Sequence, residues 1–369
     1  MKRLLGPLLT LLLLVGVGVA LYLSVTGQLS ARRVETVRGL IGSEKEDFFL
    51  DERVQEVLRQ NGLVVETEKA GSRQIATDYT VSEYDFVFPA GVPAAEKIRR
   101  ENEVRASFDA FFTPMTVASW TLIADVLEAN GVVRTAGGVR YLELDRLLDA
   151  IKADRRWSDL TDNPDYNVDK SVLITSTDVR RSNSAAMYLS LMSFVANGGA
   201  VVQNDAQLAA VMPVVTELFF KQGFQEYSSE VPFEDYLVMG PGKAPLVMIY
   251  ESQYLQMAAE GGVTPEMTLL YPEPTLYTKH VLLGISEAGE KLGRLLTTEP
   301  ELLKLEVEYG FRNENTAYFG EFIREHGLTV PGTLVNVIDP PSYEILEKMI
   351  TRIERRYASA RTGDERARP

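Results

Sequence analysis

Hydrophobic and polar positions divide this chain into a long apolar run followed by a body of short alternating elements. From Leu4 to Val25 the chain is almost continuously apolar, with Met1-Lys2-Arg3 ahead of it. About 20 such residues at 1.5 Å rise span a hydrocarbon core. The nearest small-x-small cleavage site, Leu29-Ser30-Ala31, is weak, so residues 1–31 read as a retained signal anchor rather than a removed signal peptide. The leading positive charge keeps Met1 cytoplasmic and predicts a single-pass protein of the cell membrane with its body on the extracytoplasmic side; Arg32, Arg33 and Arg38 on the far side work against that orientation.

After the anchor, Val34 to Ile41 has the pattern of a strand, and Lys45 to Asn61 that of a helix with Phe48, Phe49, Val54, Val57 and Leu58 as its stripe. Strands are predicted at Leu63–Glu68 and Tyr84–Pro89, and a helix near Pro93–Glu103. Strand, helix, strand, helix, strand predicts a parallel sheet covered by helices. Ala106–Ser119 alternates like a crossing segment between lobes, and a helix follows from Trp120 to Asn130. A second unit is expected from the helices at 142–152, 184–196 and 206–222 and the strands at 171–175 and 245–250. The pattern then gives strands at 268–271 and 281–285 and helices at 288–296 and 299–309. An amphipathic helix from Tyr343 to Tyr357 precedes a polar tail, 359–369, that is expected to be disordered.

Composition narrows the classes. The body, about 340 residues, is longer than one typical domain. There is no cysteine, hence no disulfide, thiolate metal site or lipid-modified cysteine. A net charge of −14 argues against a nucleic-acid partner, which requires basic surface. For an enzyme the inventory is thin. His280 and His326 are the only histidines, and no nucleophile elbow, His-Glu-x-x-His pair or glycine-rich phosphate loop occurs. Neither a catalytic activity nor a cofactor is therefore expected.

The series Tyr271-Pro272-Glu273-Pro274-Thr275, a short apolar strand, a helix, Glu299-Pro300, and Glu308-Tyr309-Gly310-Phe311-Arg312 resembles the C-terminal part of bacterial extracellular solute-binding proteins of the type II periplasmic binding fold. The order of elements from Val34 to Arg312 resembles that family too. The resemblance implies a two-lobed α/β domain over 32–312, with lobe 1 at about 34–107 and 267–312 and lobe 2 at about 116–262. It places hinge crossings near Ala106–Thr113 and Ile249–Leu270, and leaves 313–358 as an extension without a counterpart. The expected fold is thus a type II periplasmic-binding-protein-like fold with an N-terminal transmembrane helix.

In two-lobed binders a solute is held in the cleft by helix N-termini and by hydroxyls of strand-to-helix loops. Gly42-Ser43, Gly71-Ser72-Arg73 and the segment 175–184 have that composition. Ser43, Ser72, Thr177, Ser182 and Asn183 are candidate hydrogen-bonding residues, and Arg73 and Arg180 or Arg181 candidate partners for an anion. Simple helix capping accounts equally well for Ser43 and for Ser182 or Ser184. Tyr250 and Glu251, at the end of an apolar strand, are candidates through the resemblance; a core-edge tyrosine beside a solvated glutamate is the plain alternative.

These readings predict capture of a small solute, anionic if the arginines reach it, for delivery to a membrane transporter or a signalling complex. The rival is an extracytoplasmic interaction or assembly protein that keeps the fold without ligand binding.

Overall fold

The computed structural model describes residues 34–222 and 230–365. The predicted anchor lies outside them, and among the described residues no helix is long and apolar enough to cross a membrane.

The first strands follow the predicted order. β1 (Glu35–Ile41) pairs in parallel with β2 (Leu63–Lys69) and with β3 (Phe86–Phe88). The predicted helix 45–61 is two helices, Glu46–Leu50 and Glu52–Gln60, because Asp51 leaves helical geometry and its carboxylate caps the Arg53 amide. β4 (Ala106–Trp120) is the longest strand and joins the lobes. Its first residues alternate between exposed and half-buried, as on a one-sided sheet, whereas Thr113 to Trp120 is buried throughout.

That change marks the passage from one lobe to the other. Residues 106–114 of β4 pair with β9 (Tyr277–Gly284), which also pairs with β3. From Met115 onward β4 pairs instead with β7 (Leu246–Tyr250) and with β8 (Met267–Glu273), one on each edge. Pro114, which offers no N–H, stands where the partner changes. β8 continues in parallel to β6 (Val139–Glu143), and β6 forms a hairpin with β5 (Val133–Ala136). The sheet order is β2-β1-β3-β9-β4-β8-β6-β5, with β7 beside β4.

This pairing moves two expected boundaries. Residues 267–273 pair only with the second-lobe part of β4 and with β6, so lobe 1 resumes at β9 and not at 267. The expected crossing at 249–270 is replaced by the residues between β8 and β9, since β7 pairs with the second-lobe part of β4 and β8 does too. A third crossing follows the helix Pro300–Glu308, where Arg312 and Phe112 exchange backbone hydrogen bonds of 2.9 and 2.8 Å. Gly310, at φ +77°, makes that turn, and a β-carbon there would strike the Ser252 carbonyl.

The expected strand 171–175 is irregular, held by isolated bridges of Ser171 to Arg156 and Thr175 to Val247. Helices at Leu144–Lys152, Asn183–Ala196 and Asp205–Gln222 cover the second lobe's sheet. The extension is built into the body. Its helix Thr316–Glu325 packs through Phe322 and Ile323 on Leu255 and Val307. The hinge residue Thr275 is flanked by Asn336 and Ile338 at 2.9 and 2.8 Å. The last helix, Tyr343–Glu365, continues beyond Tyr357 into the segment expected to be disordered. Its residues Ile345, Leu346, Met349, Ile350, Ile353 and Tyr357 recur at helical spacing and join the core of the second lobe.

Candidate functional site

The strand-to-helix loops of both lobes meet along one seam. After β1 the chain turns through Ser43–Lys45 and buries the Lys45 side chain completely. Its ammonium contacts the Glu44 carboxylate, approaches His280 Nδ1 at 3.0 Å and lies 5.0 Å from the centre of the Phe88 ring. Burial pushes the Lys45 pKa down, and the adjacent Glu44 opposes that shift. His280, on β9, is fully buried among Phe88, Phe111, Phe311 and Tyr250. Burial first, and the Lys45 charge second, hold its pKa well below the ordinary histidine value. The same Nδ1 lies 3.4 Å from Glu44 Oε1, and Nε2 is buried without a hydrogen-bond partner among the described residues.

From the second lobe, Tyr250 ends β7 and its hydroxyl accepts a 3.1 Å hydrogen bond from Asn183 Nδ2, at the start of the helix Asn183–Ala196. Burial, with Glu44 adding to it, raises the Tyr250 pKa well above its usual value, so it stays a neutral phenol. The lobes touch closely here. A β-carbon on Gly91 would fall 2.7 Å from Asn183 Oδ1, and one on Gly71 would strike the Arg181 carbonyl oxygen. Gly91 also has φ +95°, which disfavours any side chain.

Among the described residues, two openings lie along the seam. One is a cavity of about 290 Å³ between Ser43, Glu44, Glu46 and Asp47 of the first lobe and Phe233, Glu234, Gln253 and Gln256 of the second. The other, about 30 Å³, lies between Ser72, Arg73, Ser182 and Asn183 and is covered by Tyr343, Leu346, Glu347 and Ile350. Besides His280 Nε2, the hydroxyls of Ser176, Ser252 and Thr278 are buried without a partner among the described residues. Ser252 follows the β7 end, where its amide donates to Thr113 Oγ1 at 3.1 Å, and Thr278 stands opposite Thr113 in the ladder.

The residues singled out from the sequence fall into two groups. Ser43, Ser72, Arg73, Ser182, Asn183 and Tyr250 line the seam or its openings. Ser72 Oγ already accepts from the Ala90 amide at 2.9 Å, and Arg73 donates to Glu347 and, at 3.1 Å, to the Arg180 carbonyl. Thr177, Arg180 and Glu251 are engaged by neighbours. Thr177 Oγ1 is 3.0 Å from Ser184 Oγ, which also meets Ser182 Oγ at 2.9 Å, and Arg180 forks onto Asp178. Glu251, fully buried, accepts from Arg312 Nε and Nη2 at 2.7 and 2.8 Å and from the Tyr271 hydroxyl at 2.6 Å. This triad sits at the hinge and clamps the third crossing to the second lobe.

Glu44, Lys45 and His280 escaped the sequence reading as site residues. A lone histidine inside the apolar stretch of β9 was the available signal for His280; a lysine in a turn carries none for burial.

Comparison with known proteins places the architecture. No family model and no curated protein matches the chain. Among solved structures, a periplasmic thiamin binding protein aligns over 87% of this chain and 95% of its own, with a TM-score of 0.56 at 12% identity. The maltose/maltodextrin-binding domain MalE from Bdellovibrio bacteriovorus bound to maltotriose aligns over 88% and 94%, with a TM-score of 0.53 at 9% identity. The periplasmic binding protein AfuA from Actinobacillus pleuropneumoniae, with fructose-6-phosphate bound, aligns over 86% and 97%, with a TM-score of 0.52 at 11% identity. The fold is that of the two-lobed type II periplasmic binding proteins. At these identities the likeness concerns the fold alone.

Proposed function

We propose that this chain is a solute-binding protein that takes a small molecule between its lobes, outside the cytoplasm, tethered by its N-terminal apolar segment. One observation carries the reading. Polar side chains from both lobes converge on the seam at the hinge, and among the described residues three of them, His280 Nε2 and the Ser252 and Thr278 hydroxyls, are buried without a hydrogen-bond partner. A purely structural interface leaves few such groups, because each orphan costs about 1–3 kcal/mol. A solute entering an opened seam supplies the missing partners, and the strand crossings supply the hinge. Binding and release, with no covalent step, is the activity that this arrangement serves, and a membrane transporter or signalling complex is the expected receiver.

For an anionic solute, the arginines narrow where it would dock. An anion at the Ser72 loop would pair with Arg73, which here is held by Glu347, whereas Arg180 is committed to Asp178. Arg73 is therefore the residue through which an anionic solute is recognised, in exchange for Glu347.

The close contact of the lobes at Gly71 and Gly91 favours one rival, an assembly protein whose seam stays shut. Thermal-shift screening of small acids, sugars and amines against the wild-type chain and Asn183→Ala separates the two. A solute that raises the melting temperature of the wild type, and less so that of the variant, supports binding. No shift with any solute class supports the rival.

A further inference from the structure

The last helix, Tyr343–Glu365, is attached to both lobes, but by different forces. Toward the second lobe the attachment is apolar and buried. Leu346, Met349, Ile350 and Ile353 enter its core, Tyr357 stacks on Phe220 with ring centres 5.1 Å apart, and its hydroxyl donates to the Phe219 carbonyl at 2.6 Å. Toward the first lobe the attachment is made of charges. Arg73 donates from Nε and Nη2 to Glu347 at 2.9 and 2.5 Å, Arg100 pairs with Glu344 at 2.6 Å, and the Lys97 ammonium lies 5.3 Å from the centre of the Tyr343 ring.

Apolar packing in a core is kept through small domain movements, whereas partly exposed ion pairs are individually weak and exchange readily with water. Arg73 and Glu347 retain 28% and 27% of their side-chain exposure, and Arg100 and Glu344 56% and 53%. The helix therefore travels with the second lobe, and its grip on the first lobe is the part that can release. It also covers the smaller opening of the seam, beside Ser72 and Asn183.

We propose that the C-terminal helix is a strap carried by the second lobe, which holds the lobes shut by docking Glu347 on Arg73 and has to leave the first lobe before the seam opens. The strap goes beyond the solute-binding reading, resting on it only for the cargo that opening would admit. Glu347 occupies the guanidinium that an incoming anion would use, so strap and anion compete for one residue.

The chain has no cysteine, so Glu66→Cys on the first lobe and Lys152→Cys on the second, both exposed, accept a pair of spin labels without background. Double electron–electron resonance on the full chain is expected to give one narrow interlobe distance. Glu347→Arg, which sets two guanidinium groups against each other at a partly exposed position, is expected to add a longer distance. Combining it with Arg73→Glu restores the narrow one. Unchanged distances in Glu347→Arg overturn the strap, as does a charge-swapped double variant that opens as far as the single one. No solute is required, so opening in Glu347→Arg with no solute ever found bound keeps the strap and removes the binding reading.

Discussion

Replacing Glu251 by Gln breaks the buried clamp at the hinge while keeping its shape. Glu251 is fully buried and Arg312 retains 7% of its side-chain exposure. The carboxylate takes two hydrogen bonds from Arg312, at 2.7 and 2.8 Å, and one from Tyr271 at 2.6 Å. After substitution the amide oxygen still accepts on one side, but the new amide nitrogen turns a donor toward donors on the other, and the guanidinium loses its counter-charge while keeping the Pro331 carbonyl at 3.0 Å. Charged hydrogen bonds contribute roughly 1.5–3 kcal/mol each, and removing one partner of a buried ion pair costs about 3–5 kcal/mol. A loss of about 3–5 kcal/mol is therefore expected for Glu251→Gln. Arg312→Met, which leaves the carboxylate buried and short of its cation, is expected to cost a similar amount. The double variant Glu251→Met/Arg312→Met removes both charges and is expected to recover most of the loss. Urea unfolding followed by tryptophan fluorescence suits the purpose, because Trp120 and Trp157, the chain's two tryptophans, both lie in the second lobe's core. A loss under about 1 kcal/mol for Glu251→Gln, or additive losses in the double variant, would refute the clamp.

Three further outcomes are expected. The buried His280 imidazole resists protonation that the unfolded chain accepts near pH 6.5, so stability falls as pH drops below that value; His280→Gln flattens the slope, and an unchanged slope in urea titrations at pH 7.5 to 5 counts against its burial. Glu306 behaves oppositely, because burial, partly offset by the Asn313 hydrogen bond, raises its carboxyl pKa well above the ordinary value. The folded state then loses stability as pH rises from about 4.3, so Glu306→Gln gains on the wild type above that pH and not below it, and an equal gain at pH 3.5 and 7 speaks against a titrating carboxyl. N-terminal sequencing of the membrane-extracted chain is expected to start at Met1, and a mature start near Ala31 would show that the apolar segment is a cleaved signal.

Much of the fold was legible because its signals are local. The strands of the first lobe and the helices 183–196, 205–222 and 287–298 announced themselves by periodicity and by glycine or asparagine stops. The hairpin of β5 and β6 was missed although Gly137-Gly138, both at positive φ, is its natural turn. Lobe membership was harder to read. Thr268–Tyr271 is apolar whichever lobe it joins, and only its pairing with β4 and β6 assigns it to the second. At the seam, loop composition located Ser72, Ser182 and Asn183, but Lys45 and Glu251 are charged residues that sequence patterns place in water. Their burial depends on His280, Glu44 and Arg312, up to 235 residues away in the chain. The role of the last helix was also hidden, since an amphipathic stripe says that a helix has a partner and not that it has two.

The central claim is that the seam receives a solute. Native mass spectrometry of the full chain, extracted in mild detergent from the cells that express it, tests this most directly. The account predicts a population heavier than the sequence mass by one small molecule, with that excess reduced in Asn183→Ala and in Arg73→Ala. A chain that flies only at its own mass under the gentlest conditions, before and after incubation with a concentrated metabolite extract, would contradict it.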